Sequence, residues 1–312
     1  MGSRRSAGPP GHTQRYGLHM SIDFPQLALA TLTLASIYAL VALGLNLIYG
    51  TMRLLNVAHG EIMTLGGYFT FACFTRLHLS PIVSIPLAMV FSAGLGVLCY
   101  YGLFSWQLRS PELAKRLESN SLLVFFGLST VLQNVIALAF TSDPRSYSYL
   151  DQVVSVGGTP FLLNRLVILL VGAIATLSLM CFFRFSMAGL AVRALIQQRD
   201  AAALVGINAQ KLNRFVFSLG FAVAALAGGL ISMSDNITPF SGFPYTISAF
   251  VVIILGGLGS LGGGVLGALA LALVEVFGSA LTSPAYRSIL VYGLFVTVLL
   301  LRPQGLFGKR GV

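Results

Sequence analysis

The chain has 312 residues, 56% hydrophobic and only 9% charged, with a formal net charge of +10 and a mean hydropathy of +0.86. Soluble domains carry roughly a quarter charged residues, so this composition excludes an ordinary globular protein and specifies a polytopic membrane protein. In a soluble protein the basic balance would suggest nucleic acid. Here Lys and Arg fall between apolar runs and are not interleaved with aromatics, so no nucleic-acid partner is expected.

Residues 1–19 are polar and rich in Pro and Gly, and a second Met follows at Met20. Without an apolar core they do not form a secretory signal, and they are expected to be a disordered leader or tag. Residues 20–312 are expected to form one transmembrane domain. The first span covers 26–49, long enough to cross at about 20 residues per crossing. A shorter apolar stretch, 61–75, holds Gly66-Gly67, and a broken or re-entrant segment is expected there. Residues 82–104 make a full span. A hydrophilic segment, 105–119, follows, with Trp106 at its start where an interfacial anchor belongs.

Residues 122–141 cross again, and Gln133 and Asn134 are candidates for hydrogen bonds between helices. The loop 142–163 has one Arg, two Asp and turn residues, the profile of an extracytoplasmic loop. Span 166–183 leads into 186–208, SMAGLAVRALIQQRDAAALVGIN, an Arg-bearing segment between two apolar runs. It reads as a docking helix: Ala-rich turns admit a partner surface, and Gly206 is a natural stop. Span 212–233 crosses outward to a loop, 235–246, that has no Lys or Arg. Residues 247–277 are too long for one crossing and are interrupted by GGLGSLGGG.

The last span, 286–301, ends in RPQGLFGKRGV. Charge bias puts this tail, 186–208 and 105–119 on the cytoplasmic side. Parity then requires 247–277 to start and finish outside, as a helix pair or a re-entrant hairpin. The expectation is an all-α polytopic membrane protein with about eight transmembrane segments. Two of these are broken or re-entrant, the pattern of transporters whose broken helices line a path near the midplane.

The run Gly257-Leu258-Gly259-Ser260-Leu261-Gly262 matches a dinucleotide fingerprint, but that motif needs a soluble βαβ unit, and a membrane-length apolar run follows instead. The better reading is close helix packing, since Gly259, Gly263 and Gly267 form overlapping G-x-x-x-G pairs. No G-x-x-x-x-G-K-[ST] occurs, so ATP hydrolysis would need a separate subunit. Asn56, His59 and Glu61 stand where the first broken segment begins. Two readings stay open for them: they shape a translocation path, or they sit at the interface satisfied by water and helix-end backbone. Glu275 is expected to partner a polar group on a neighbouring helix. Cys73, Cys99 and Cys181 have no metal-ligand spacing. No paired carboxylate or nucleophile–base arrangement suggests an enzyme, and neither metal nor cofactor is expected.

Four stretches, in order, carry a resemblance: YALVALGLNLIYGTMRLLNVAHGEIMTLGGY, MAGLAVRALIQQRDAAALVGIN, ILGGLGSLGGGVLGALALALVE and LLLRPQGLFG. Together they resemble the permease subunits of branched-chain amino-acid ABC importers, over nearly everything from Leu27 to Gly308. The resemblance implies that 186–208 is a cytoplasmic coupling helix. That family's signature there is Glu-Ala-Ala, three residues, then Gly; this chain has Asp200, Ala201, Ala202 and Gly206. Arg193 would orient or anchor the helix, and Gly189 belongs to the same segment. Asn56, His59, Glu61, Gly256, Gly257 and Gly259 are the candidates for the path.

The resemblance further implies a second permease subunit, two cytoplasmic ATPase subunits, a periplasmic binding protein and a bacterial inner-membrane location. Sibling permeases that carry urea or short amides share the motifs. A solitary ion-coupled carrier or channel would explain the interrupted helices equally well, but it would leave the Asp-Ala-Ala-x-x-x-Gly segment without a motor to meet.

Overall fold

The structure, a computed structural model, describes residues 24–104, 111–156, 159–302 and 305, with the backbone alone for 111–119 and 156. The leader expected over 1–19, the anchor Trp106 and the tail cations Lys309 and Arg310 lie outside the described residues.

In chain order the helices are α1 (Phe24–Met52), α2 (His59–Leu77), α3 (Pro81–Cys99) with a π turn (Tyr100–Phe104), and α4 (Pro111–Phe140). After a two-stranded antiparallel hairpin, β1 (Val153–Val156) and β2 (Thr159–Leu162), come α5 (Leu163–Phe185), α6 (Met187–Gln197), α7 (Arg199–Leu204) and α8 (Ala209–Ile231). The chain then forms α9 (Gly242–Gly256), α10 (Leu261–Leu281), a 3-10 turn (Pro284–Tyr286) and α11 (Arg287–Leu301). The fold is all-α and polytopic. Among the described residues, seven helices are long and apolar enough to cross a membrane, with α2 and α9 packed among them.

Helices that are apolar all round belong in the interior of a bundle. The central pair here is α1 and α8: 78% of the α8 apolar window is buried, against 11% in α11, which lies at the edge. In α8 the run Phe221–Ile231, FAVAALAGGLI, is entirely buried, and its small residues let α2 approach. A Cβ on Gly228 would collide with the Met63 carbonyl, and one on Gly66 would collide with Ala225. The helices thus meet backbone to backbone.

Several expectations change in detail. Helix α2 runs unbroken through Gly66-Gly67, because those glycines serve the α8 contact; the interruption lies before it, at 53–58. Residues 111–119 of the expected hydrophilic loop continue α4 as helix.

The 247–277 stretch is a helix pair. Gly257 (φ +87°) and Gly259 (φ +81°) turn the chain in a conformation that favours glycine. Ser260 then caps α10 by accepting from the Gly263 N–H at 3.1 Å. Fifteen residues give α9 a length of about 22 Å at 1.5 Å per residue, short of the ~30 Å apolar layer. Gly263 and Gly267 do approach α9, at Gly256 and Val252, but Gly259 belongs to the turn and not to that packed face. Asn134 donates to Thr130 O of its own helix at 2.8 Å and bonds no other helix among the described residues.

The bundle has two distinct ends. At one, Ser121 accepts from the Leu55 N–H and Tyr100 donates to Gln210 O, while Gly305 abuts Gly257. This end gathers the segment 186–208, the start of the α4 span and the start of the tail. At the other, Arg145 pairs with Ile237 through the backbone and Tyr147 bonds Ser232 at 3.0 Å, tying loop 142–152 to the loop after α8.

A substitution pair tests the backbone contacts. Gly228→Val should lower the thermal midpoint of the purified chain in detergent, since overpacking costs about 1–3 kcal/mol. Gly94→Val, where a Cβ would meet nothing within 4 Å, should leave the midpoint within error.

Candidate functional site

Helix α5 ends at Phe185 and Ser186 starts α6, accepting from the Gly189 N–H at 2.9 Å. Gly189 must be glycine because a Cβ would strike the Phe183 carbonyl inside this tight corner. Arg193 donates from Nη1 to Arg184 O at 3.0 Å, which satisfies a carbonyl at the end of α5 and favours a cation there. Residues 186–208 are therefore two helices and not one. Extended backbone at Gln198 (φ −155°, ψ 107°) separates α6 from α7.

Asp200 lies in the first turn of α7, where a carboxylate favours the helix dipole. Asp200 and Ala201 are exposed, whereas Ala202 is buried. Gly206 (φ +83°) closes α7: its N–H reaches Ala203 O at 3.0 Å and that of Ile207 reaches Ala202 O at 3.1 Å. This bond pair is a Schellman stop and requires the left-handed residue. Beside it Leu204 is 89% and Val205 76% exposed, an apolar tip at a polar end of the molecule. Sequence reading missed these two; an apolar pair inside a cationic loop was the available signal.

The inner face of α6 points at the bundle. Val192 and Leu195 are buried, and Ile196 lies against Gly50 of α1 and Gly259 of the α9–α10 turn. Asn46 of α1 grips the same turn from within. Its Oδ1 accepts from the Gly259 N–H at 2.7 Å, and its Nδ2 donates to Ser260 O at 2.9 Å. Residues 186–208, α1 and the turn thus form one contact chain, with Asn46 as the pin between α1 and the turn.

Asn56, His59 and Glu61 are all fully buried where the chain enters α2. Glu61 Oε1 accepts from Ser129 of α4 at 3.3 Å. Both polar atoms of Asn56 and Glu61 Oε2 have no protein hydrogen-bond partner among the described residues. The His59 ring lies near Val41 and Gly44 of α1 without a well-formed hydrogen bond. Gly60 touches Gly242 at the start of α9, and Thr246 stitches the two helix starts together. Its hydroxyl accepts from the Gly60 N–H at 2.8 Å and lies 3.2 Å from Val57 O. Two helix N-termini therefore meet inside the bundle, each carrying partial positive charge.

The six path candidates fall into two groups. Asn56, His59 and Glu61 form one, with His59 against Gly44; Gly257 and Gly259 form the turn held by Asn46, and Gly256 packs on Gly263. Positions 44 and 46 differ by 200° around a helix of 3.6 residues per turn, so the groups flank α1 from opposite faces. Removing the pin tests this arrangement. Asn46→Ala leaves the Gly259 N–H unpaired at about 1–3 kcal/mol, whereas Ser260 O keeps the Gly264 N–H, so amide exchange at Gly259 should accelerate roughly 5- to 150-fold, measured by hydrogen–deuterium exchange.

Comparison with known proteins matches the sequence to a family. The model of the branched-chain amino acid transport system / permease component family matches residues 27–299. The high-affinity branched-chain amino acid transport system permease protein BraD of Pseudomonas aeruginosa is 31% identical over 90% of this chain and 94% of that protein. LivH of Salmonella typhimurium, named as a permease of the same kind of system, is 32% identical over 90% and 94%. LivM of Escherichia coli is 25% identical over 88% of this chain and 68% of that protein. No solved structure matches. The chain belongs to the branched-chain amino acid transport system permease family.

Proposed function

We propose that this chain is a permease subunit of an ATP-binding-cassette importer in the bacterial inner membrane. It translocates branched-chain or related small amino acids handed over by a periplasmic binding protein. A second permease subunit completes the path, and two cytoplasmic ATPase subunits drive it. The carrying observation is the segment 186–208: anchored to α5 by Arg193 and closed by Gly206, it presents the exposed tip Leu204-Val205.

In this reading, ATP binding closes the ATPase pair and pushes α6 and α7. The attached spans α5 and α8 tilt with them, and Ile196 passes the displacement to the turn at Gly259. The path, shaped by Asn56, His59, Glu61 and Gly256, Gly257 and Gly259, opens toward the binding protein. That protein meets loops 142–163 and 235–246. Hydrolysis resets the assembly. A few unpartnered polar groups in an apolar bundle suit a small, net-neutral solute.

Mild-detergent purification from native membranes should bring down two ATPase subunits and a second permease. Recovery of the chain alone after crosslinking would overturn the proposal. Gly206→Trp and Leu204→Asp should each insert normally yet lose ATPase co-purification and at least about 90% of uptake, a loss worth ~1.4 kcal/mol or more in coupling. Normal uptake in both would remove the docking role from this segment.

A further inference from the structure

At the end opposite the coupling segment, two recesses of about 390 and 400 Å³ open side by side. Each has the size of a small-ligand site, which falls roughly between 300 and 1,000 Å³. They share Asp235 on the loop after α8, Tyr245 of α9, Glu275 of α10 and Arg287 of α11, and Arg165 lines the second. Charges of both signs therefore meet at one end of a mostly apolar bundle.

The four charged groups are not equivalent. Glu275 is buried and both its oxygens are engaged: Oε2 accepts from the Tyr38 hydroxyl at 2.7 Å, and Oε1 takes Arg287 Nε–H. It is a positioning residue. With Nε held by Glu275, the outer part of the guanidinium, on a side chain that is 53% exposed, lines the recess beside Tyr38. A guanidinium presented in this way suits a planar carboxylate. Asp235 is exposed to both recesses, and its carboxylate makes no side-chain hydrogen bond among the described residues. Partial enclosure pushes its carboxyl above the usual range, against the pull of Arg165 and Arg287. That carboxylate would gain from a further cation. Ile231 and Val291, both buried, supply an apolar wall in the first recess.

We propose that this recess is a docking site for the zwitterionic head of an α-amino acid, with its carboxylate on Arg287, its ammonium on Asp235 and its aliphatic side chain toward Ile231 and Val291. The site rests on the permease reading and narrows it, because urea and short amides have no separated charges to match the pair. It would receive substrate as the binding protein releases it, before the path opens.

The test uses the full complex in proteoliposomes, with Cys73, Cys99 and Cys181 replaced by Ala and Ser288, at the recess rim, replaced by Cys. Labelling by an externally added methanethiosulfonate reagent is followed without binding protein. Leucine should slow labelling, whereas leucinol, isocaproate and urea should not. Asp235→Asn should raise the protecting leucine concentration about 10- to 100-fold, the value of one charge-assisted hydrogen bond, with ATPase co-purification retained. Arg287→Lys should do the same. Absence of leucine protection, equal protection by urea, or unchanged protection in Asp235→Asn would overturn the site. Loss of assembly in Asp235→Asn would also overturn it, by making the residue structural. A parent complex that imports leucine but shows no protection sinks this proposal alone; one that imports no amino acid sinks the permease reading itself.

Discussion

Backbone-to-backbone contact among the central helices is the constraint on which the rest of the structure depends. In lipid, apolar side chains gain little from leaving one apolar environment for another, so helices associate through close packing and internal hydrogen bonds. Here the closest approaches come where a side chain is missing: Gly228 on Met63, Gly66 on Ala225, Gly60 on Gly242 and Gly256 on Gly263. Each contact fixes the height of one helix against another. Together they set α2 and α9 so that their first turns meet within the bundle, where Thr246 joins them.

That arrangement also encloses polar groups at the entry to α2. An unpaired polar atom in an apolar interior costs free energy, so such atoms mark functional sites more often than packing sites. Asn56, His59 and Glu61 cluster at the start of α2, beside two convergent helix N-termini, and among the described residues only Glu61 has a side-chain partner, in Ser129. The two ends of the molecule are equally distinct in chemistry. One presents a cationic segment with an apolar tip; the other presents a recess where Arg287, Glu275, Asp235 and Arg165 meet.

The connection between the ends runs through α1. Near one end Asn46 holds the α9–α10 turn against which Ile196 rests, and farther along the same helix Tyr38 donates to Glu275, the partner of Arg287. One helix therefore carries both the contact to the turn beside residues 186–208 and the contact to the recess. Movement of α6 would be felt at the turn first, because that contact is direct.

What the sequence by itself determined was local. Runs of apolar residues set the spans to within a few positions, the cationic segments marked one face, and parity required the 247–277 stretch to fold back. Gly206 was legible as a stop because a left-handed residue after Ala-rich helix closes the last turn through bonds only a few residues apart. Even the glycine run was legible as a break, although the sequence could not divide its members between turn and packed face. What only the tertiary structure decided were the partnerships across the chain. Thr246 lies 186 residues from Gly60, Asn46 lies 213 from Gly259, and Tyr38 lies 237 from Glu275. No periodicity or spacing encodes such pairs. They exist because packing at the glycine contacts brings distant polar groups into one low-dielectric interior, where each must find the partner that geometry leaves within reach.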